Sequence, residues 1–170
     1  LSGFFSKDEI LSSTFARASD SPLAAASLAQ VQSQLRDTML LEFHLGDERS
    51  YLWAVTVNSL DVYELPARKA IEDATRKVYE SIVARQGLAD ESAKDYQARI
   101  ETADKLWPQE AKELSQMLLG PVYSQLGTRK LLLVTQGALQ YLPFEILPVP
   151  VAQTSGQTEW PALVTTNEIA

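Results

Sequence analysis

The sequence predicts an α/β fold: an antiparallel β-meander, then a helical middle section, then the first strands of a mostly parallel sheet. Three observations predict it. Residues 38–65 alternate apolar and polar side chains with short turns between the runs, residues 66–127 change to apolar spacings of three and four, and residues 131–135 form a brief apolar run between turn signals. With 170 residues, the chain is about one domain long.

Taken in order, residues 9–35 read as helix in two pieces separated near Ser19-Asp20-Ser21-Pro22. Ser21 is placed to cap the second piece and Pro22 to open it, because a first-turn proline loses no hydrogen bond. Ala24, Leu28, Val31 and Leu35 then make one apolar stripe. Residues 1–36 are accordingly expected to be a helical lead-in. In the first strand Met39, Leu41, Phe43 and Leu45 share one face, and Leu40, Glu42 and His44 the other. Tyr51, Trp53, Val55 and Val57 alternate against Leu52, Ala54, Thr56 and Asn58, and Leu60 to Leu65 forms a third strand. Connections this short permit antiparallel neighbours, whereas a parallel pair needs a longer crossover.

Pro66 is expected to open the next helix and Gly87 to close it, with Ala67, Ile71, Ala74, Val78 and Ile82 as the buried stripe. Glu72 with Arg76 and Asp73 with Lys77 are candidate i, i+4 ion pairs on its outer face. Residues 92–107 repeat the design through Ala93, Tyr96, Ile100, Ala103 and Trp107, and Pro108 predicts a break or a new first turn. Leu114, Met117 and Leu118 carry a further helix to the stop signal Gly120-Pro121. The run Leu131 to Thr135 then has the composition of a strand buried on both faces, which begins an α/β layer over residues 128–170. Leu139 to Leu147 follows as a compact apolar segment interrupted by Pro143.

Composition narrows the chemistry. Fifteen basic against 22 acidic residues leave a net charge of -7, which repels a phosphate backbone and argues against direct nucleic-acid binding. No apolar run approaches the ~20 residues that cross a bilayer. The absence of cysteine removes disulfides, thiolate zinc sites and any thiol nucleophile from these residues. Seven glycines without the spacing of a phosphate loop, and no G-x-S-x-G, exclude two further catalytic frameworks. The single histidine, His44, sits in mid-strand; it is read as facing solvent or capping a neighbour, because one imidazole supplies neither nucleophile nor orienting group. Trp53 and Trp107 fit core stripes, whereas Trp160, beside Pro161 and a polar loop, is a candidate exposed anchor. Glu110 with Glu113 and Asp90 with Glu91 are acid pairs in form, but they are expected to be solvated at a helix surface or its start. No residue is therefore assigned as catalytic, cofactor-binding or metal-ligating, and no cofactor is implied.

The order of several segments carries a resemblance. Leu40-Leu41-Glu42-Phe43-His44-Leu45-Gly46-Asp47-Glu48-Arg49-Ser50-Tyr51-Leu52-Trp53, then Tyr63-Glu64-Leu65-Pro66, Leu118-Leu119-Gly120-Pro121-Val122, Lys130-Leu131-Leu132-Leu133-Val134 and Gly137-Ala138-Leu139-Gln140-Tyr141-Leu142-Pro143-Phe144-Glu145-Ile146-Leu147 resemble the CHAT domain. This is a caspase-like module found after tetratricopeptide repeats in bacterial proteins. The likeness runs from about Leu23 to Ala170, with residues 37–170 as the amino-terminal part of such a domain. Gln136 departs from the pattern, which commonly has an acidic residue before the glycine.

The resemblance implies a caspase-like α/β fold and, in active full-length members, a cysteine peptidase with a His and Cys pair. That dyad follows the segment resembling Thr166-Asn167-Glu168-Ile169-Ala170, so no position here receives it and these residues are expected to be inactive alone. The start at Leu1 and the β-prone end, which stops without a cap, predict a larger parent. Its expected partners are a polypeptide substrate or other proteins, with tetratricopeptide repeats upstream, and its expected location is cytoplasmic. The alternative is an interaction or signalling scaffold of caspase-like fold without peptidase activity. Leu142-Pro143-Phe144 is expected to pin the turn after the buried strand into the core.

Overall fold

In a computed structural model, residues 27–150 and 161–170 are described. The expected meander is present: β1 (Thr38–His44), β2 (Ser50–Val55) and β3 (Leu60–Leu65) pair antiparallel in sequence order. Thr56 closes the second turn, its N–H bonding Ser59 O at 2.9 Å and its hydroxyl accepting from Ser59 N at 3.0 Å. β4 (Lys130–Val134) pairs parallel with the other side of β1, placing Met39 opposite Leu131 and Leu41 opposite Leu133. The described sheet is thus mixed, with order β3-β2-β1-β4. On the outer side of β4, residues 168–170 continue the parallel pairing: Leu131 N–H bonds Glu168 O at 2.7 Å and Leu133 N–H bonds Ala170 O at 3.1 Å.

Two helices cover one face of this sheet, α2 (Arg68–Val83) and α3 (Ala93–Leu119). Between helices and sheet lies the main core, built from Met39, Leu41, Phe43, Leu52, Ile71, Val78, Leu114 and Leu118, all with no accessible surface. The alternation read from β1 therefore selects its core face correctly. Phe144 joins this core with its ring centroid 5.7 Å from that of Phe43, so Leu142-Pro143-Phe144 does anchor the turn between two 3₁₀ turns (Gly137–Tyr141 and Phe144–Ile146). Against the opposite face lies the two-turn helix α1 (Leu28–Leu35). Its Leu28, Val31 and Leu35 pack on Leu40, Val55 and Leu60 as a second, smaller core.

Several local expectations are corrected. α1 begins at Leu28, capped by Ser27 rather than Ser21: Ser27 is extended, its hydroxyl accepts from Gln30 N, and the Gln30 side chain accepts from Ser27 N at 2.7 Å. This capping box stops a helix from running through position 27; Ser21, Pro22 and the stretch 9–26 lie outside the described residues. α2 starts at Arg68, not at Pro66: Ala67, with ψ 149, is not yet helical, and the Arg68 N–H, free in any first turn, is bonded by Gly46 O at 2.8 Å, which ties the helix start to the β1–β2 loop. On its surface the acidic residues take partners other than the expected ones: Asp73 pairs back to Lys69 at 2.6 Å and forward to Arg76 at 3.4 Å, and Glu72 pairs back to Arg68 at 3.9 Å. The Lys69 ammonium and its hydrogen bond hold the Asp73 carboxyl below the usual range.

The break expected at Pro108 does not occur. α3 is one helix of 27 residues with Pro108 inside it, roughly 40 Å long. Pro108 lies on the exposed side, so the carbonyl that loses its partner faces solvent. Ala103 on one side and Ala111, Leu114, Leu118 and Leu119 on the other are buried, and this continuous packing holds both halves in line. Nor is β4 buried on both faces. Leu131 is fully buried, but Leu132 and Val134 on the opposite face are 38% and 43% exposed, since α1 packs on the β1, β2 and β3 members of that face and not on β4. An apolar run of this length does not distinguish a strand buried twice from one with a bare face.

Candidate functional site

Because β1 and β4 are parallel, their C-terminal ends open on one edge of the sheet, where open α/β sheets place ligands as strand connections diverge. From β1 the chain turns through residues 45–49 to β2, and from β4 it turns through Gln136 and Gly137. Gln136 ties the two exits together. Its Oε1 accepts from Leu45 N at 3.4 Å and its Nε2 lies 3.3 Å from His44 Nδ1. With Oε1 engaged, Nε2 is the donor, so a neutral His44 carries its proton on the other ring nitrogen. The imidazole also stacks on Trp53, the ring centroids 6.1 Å apart and the planes 13° from parallel.

Arg68 supports the floor of this edge. Its Nη2 donates to Leu45 O at 2.5 Å and its Nε lies 3.5 Å from Asp47 Oδ1. Gly137 has φ +57, and a Cβ there would lie 2.9 Å from Glu72 Oε1. Glycine takes this left-handed backbone without strain, and a larger residue would also have to push the Glu72 carboxylate aside. The edge is therefore a braced frame of amide, guanidinium and backbone groups. Among the described residues, no hydroxyl is hydrogen-bonded to His44. The arrangement positions neighbouring segments; it does not assemble a nucleophile with a base.

The other residues singled out from the sequence separate. Trp107 packs against the main core as expected. Trp53 is buried, but on the opposite sheet face beside His44, and belongs to neither apolar cluster. Trp160 lies outside the described residues. Glu110 accepts from Ser81 Oγ at 2.8 Å and Glu113 from Gln109 Nε2 at 2.6 Å, two separate contacts with no shared proton. Glu91 corrects the expectation of a solvated pair: its side chain is 12% exposed and Arg99 binds both its oxygens, at 2.8 and 2.6 Å. That contact lowers the Glu91 carboxyl's pKa. Arg99 also donates to Ala84 O and Gln86 O, so the pair fastens the α2–α3 connection. Beside it runs an open groove of about 630 Å³ between α2 and α3, lined by Lys77, Val83, Leu88, Thr102 and Leu106 among others.

Sequence reasoning passed over Glu42. Its strand position marks it as a member of the polar face, yet it is 5% exposed. In register it lies between Trp53 on β2 and Val134 on β4, one row beyond the part of the face covered by α1. It has no hydrogen-bond or ion-pair partner among the described residues, and burial pushes its carboxyl above the ordinary carboxylate value. A glutamate among apolar neighbours in the LLEFHL segment is the signal that was available. The alternation itself argued against burial.

No group of three or more potential metal ligands gathers among the described residues, and no helix there is long and apolar enough to cross a membrane. No family model matches the chain, and no curated protein does.

Proposed function

We propose that the chain is the non-catalytic amino-terminal portion of a caspase-like CHAT domain, and that its full-length parent is a cysteine peptidase. One observation carries the reading. β4 lies between β1 and residues 168–170 and runs parallel to both, an arrangement suited to a mostly parallel sheet with an antiparallel meander at one edge. In this proposal the meander extends the sheet, α2 and α3 cover one face of it, and the Gln136 bridge fixes where the parallel strand ends sit. The dyad belongs to chain beyond Ala170. There the imidazole assists formation of a thiolate, the thiolate attacks a peptide carbonyl, and backbone donors stabilise the oxyanion. The parent acts on polypeptides in the cytoplasm of a bacterium, downstream of tetratricopeptide repeats.

The second reading, a caspase-like scaffold without peptidase activity, is favoured by the bare apolar positions Val62, Leu132 and Val134 on one sheet face. Reading the frame past Ala170 separates the two. A histidine followed by a cysteine, with polypeptide cleavage that a Cys→Ala change abolishes, supports the peptidase; a longer chain without that pair supports the scaffold. Residues 1–170 alone should turn over no member of a peptide library. Turnover that survives inhibitor controls would overturn both readings.

A further inference from the structure

Among the described residues, the sheet face carrying α1 is only partly covered, and its register states what is missing. Leu60, Val55, Leu40 and Leu132 line up across β3, β2, β1 and β4 as one row; Val62, Trp53, Glu42 and Val134 form the next, two residues further along. α1 seats its Leu28, Val31 and Leu35 on the first three members of the first row. Leu132 at 38%, Val62 at 45% and Val134 at 43% exposure remain open around that contact. In their midst stands Glu42, which is 5% exposed and has no partner among the described residues.

Two needs meet there. Three exposed aliphatic side chains on a flat, paired surface lose water when another apolar surface covers them. The Glu42 carboxylate has no donor among the described residues, yet its oxygens are not sealed from solvent, so a cation can reach it and make a charge-assisted hydrogen bond. The chain's net charge of -7 favours approach of a basic segment.

We infer that this face docks an amphipathic helix of a separate polypeptide, which lays apolar side chains on Val62, Leu132 and Val134 and brings one arginine or lysine to the Glu42 carboxylate. A helix supplies both needs from one stripe, its side chains at i, i+3, i+4 and i+7 spanning the open row with a single cation among them. The inference stands on the sheet face alone and does not depend on the family proposed above.

The test titrates the full 170-residue chain with an end-blocked synthetic helix whose leucine and alanine stripe carries one central arginine. A matched peptide has citrulline in that place, and tryptophan fluorescence gives Kd. Saturable binding is expected, weakened about tenfold or more by Glu42→Gln, and abolished by Val134→Glu at its exposed position. The citrulline peptide should bind the wild type about as weakly as the arginine peptide binds Glu42→Gln, and it should not distinguish wild type from that variant. Glu113→Gln, on the far side of α3, serves as the unaffected control. Binding indifferent to Glu42→Gln, or none at millimolar peptide, overturns the inference. So does a peptide that is refused by the wild type and bound only by a Lys7→Ala, Arg17→Ala double variant, because the cation would then come from the chain itself.

Discussion

Replacing Glu42 by methionine should stabilise the chain at neutral pH and change it little in acid. The side chain is 5% exposed, has no partner among the described residues, and is held above the ordinary carboxylate value of 4.5 by burial. Methionine is of similar length and introduces no polar atom that must be satisfied. Burial disfavours the ionised form of this carboxyl, and a penalty of that kind is worth on the order of 1–2 kcal/mol. The pH dependence follows from linkage. Below the unfolded value of 4.5 the carboxyl is protonated in both states and contributes no ionic penalty. As pH rises above it, the unfolded chain releases its proton first while the folded chain retains it, so stability falls until the folded carboxyl also ionises and is level thereafter.

The gain from Glu42→Met should therefore be small near pH 4 and larger at neutral pH. Urea unfolding followed by tryptophan fluorescence reads it. With an m-value of about 2 kcal/mol per M, a gain of about 2 kcal/mol raises the midpoint by about 1 M. Taking the difference between variant and wild type at each pH removes the other titrating groups. An equal gain in acid and at neutral pH, or a loss at neutral pH, would refute the reasoning, since either means that the carboxylate is not penalised where it sits.

Gly46→Ala should cost about 2 kcal/mol or more, because a Cβ there would lie 2.3 Å from Arg49 O and must displace the loop that holds Arg68; an unchanged denaturation midpoint would count against it. Asn167→Ala removes the donors to Gly127 O at 3.2 Å and Arg129 O at 2.8 Å. It should cost about 2 kcal/mol and speed hydrogen exchange at the Leu131 and Leu133 amides, which residues 168 and 170 protect; unaltered exchange would show that the asparagine does not hold that pairing. Pro108→Ala restores a helical donor at an exposed position of α3 and should stabilise the chain by about 1–3 kcal/mol. A lower thermal midpoint would mean that the packing on the sheet depends on the proline.

Much of the fold follows from local pattern. The period of two in residues 38–65, with short turns, suffices for a meander because register and facing are decided between adjacent segments. Met39, Leu41 and Phe43 accordingly lie in the main core as read. Helix limits were less legible. Ser27 rather than Ser21 caps α1, and the start of α2 is tied to Gly46 O, a group 22 residues away that no local signal names. Pro108 carries a strong local breaker signal, but the helix persists through it because both of its halves pack on one core.

The site divides in the same way. From residue types alone, the sequence excludes a thiol nucleophile and leaves His44 without a catalytic companion. Gln136 stands out only as a departure from the pattern the chain resembles, and nothing in the sequence indicates that its amide bridges two parallel strand ends. Alternation assigns Glu42 to the outer face of β1 and stops there, since it cannot tell whether that face meets water. Long-range packing decides that question: α1 returns over the sheet, β2 brings Trp53 alongside and β4 brings Val134, so a strand position that is polar by pattern loses most of its solvent contact. Periodicity reports which side of a strand a residue takes, whereas its dielectric surroundings depend on segments distant in the chain, and only the assembled structure contains them.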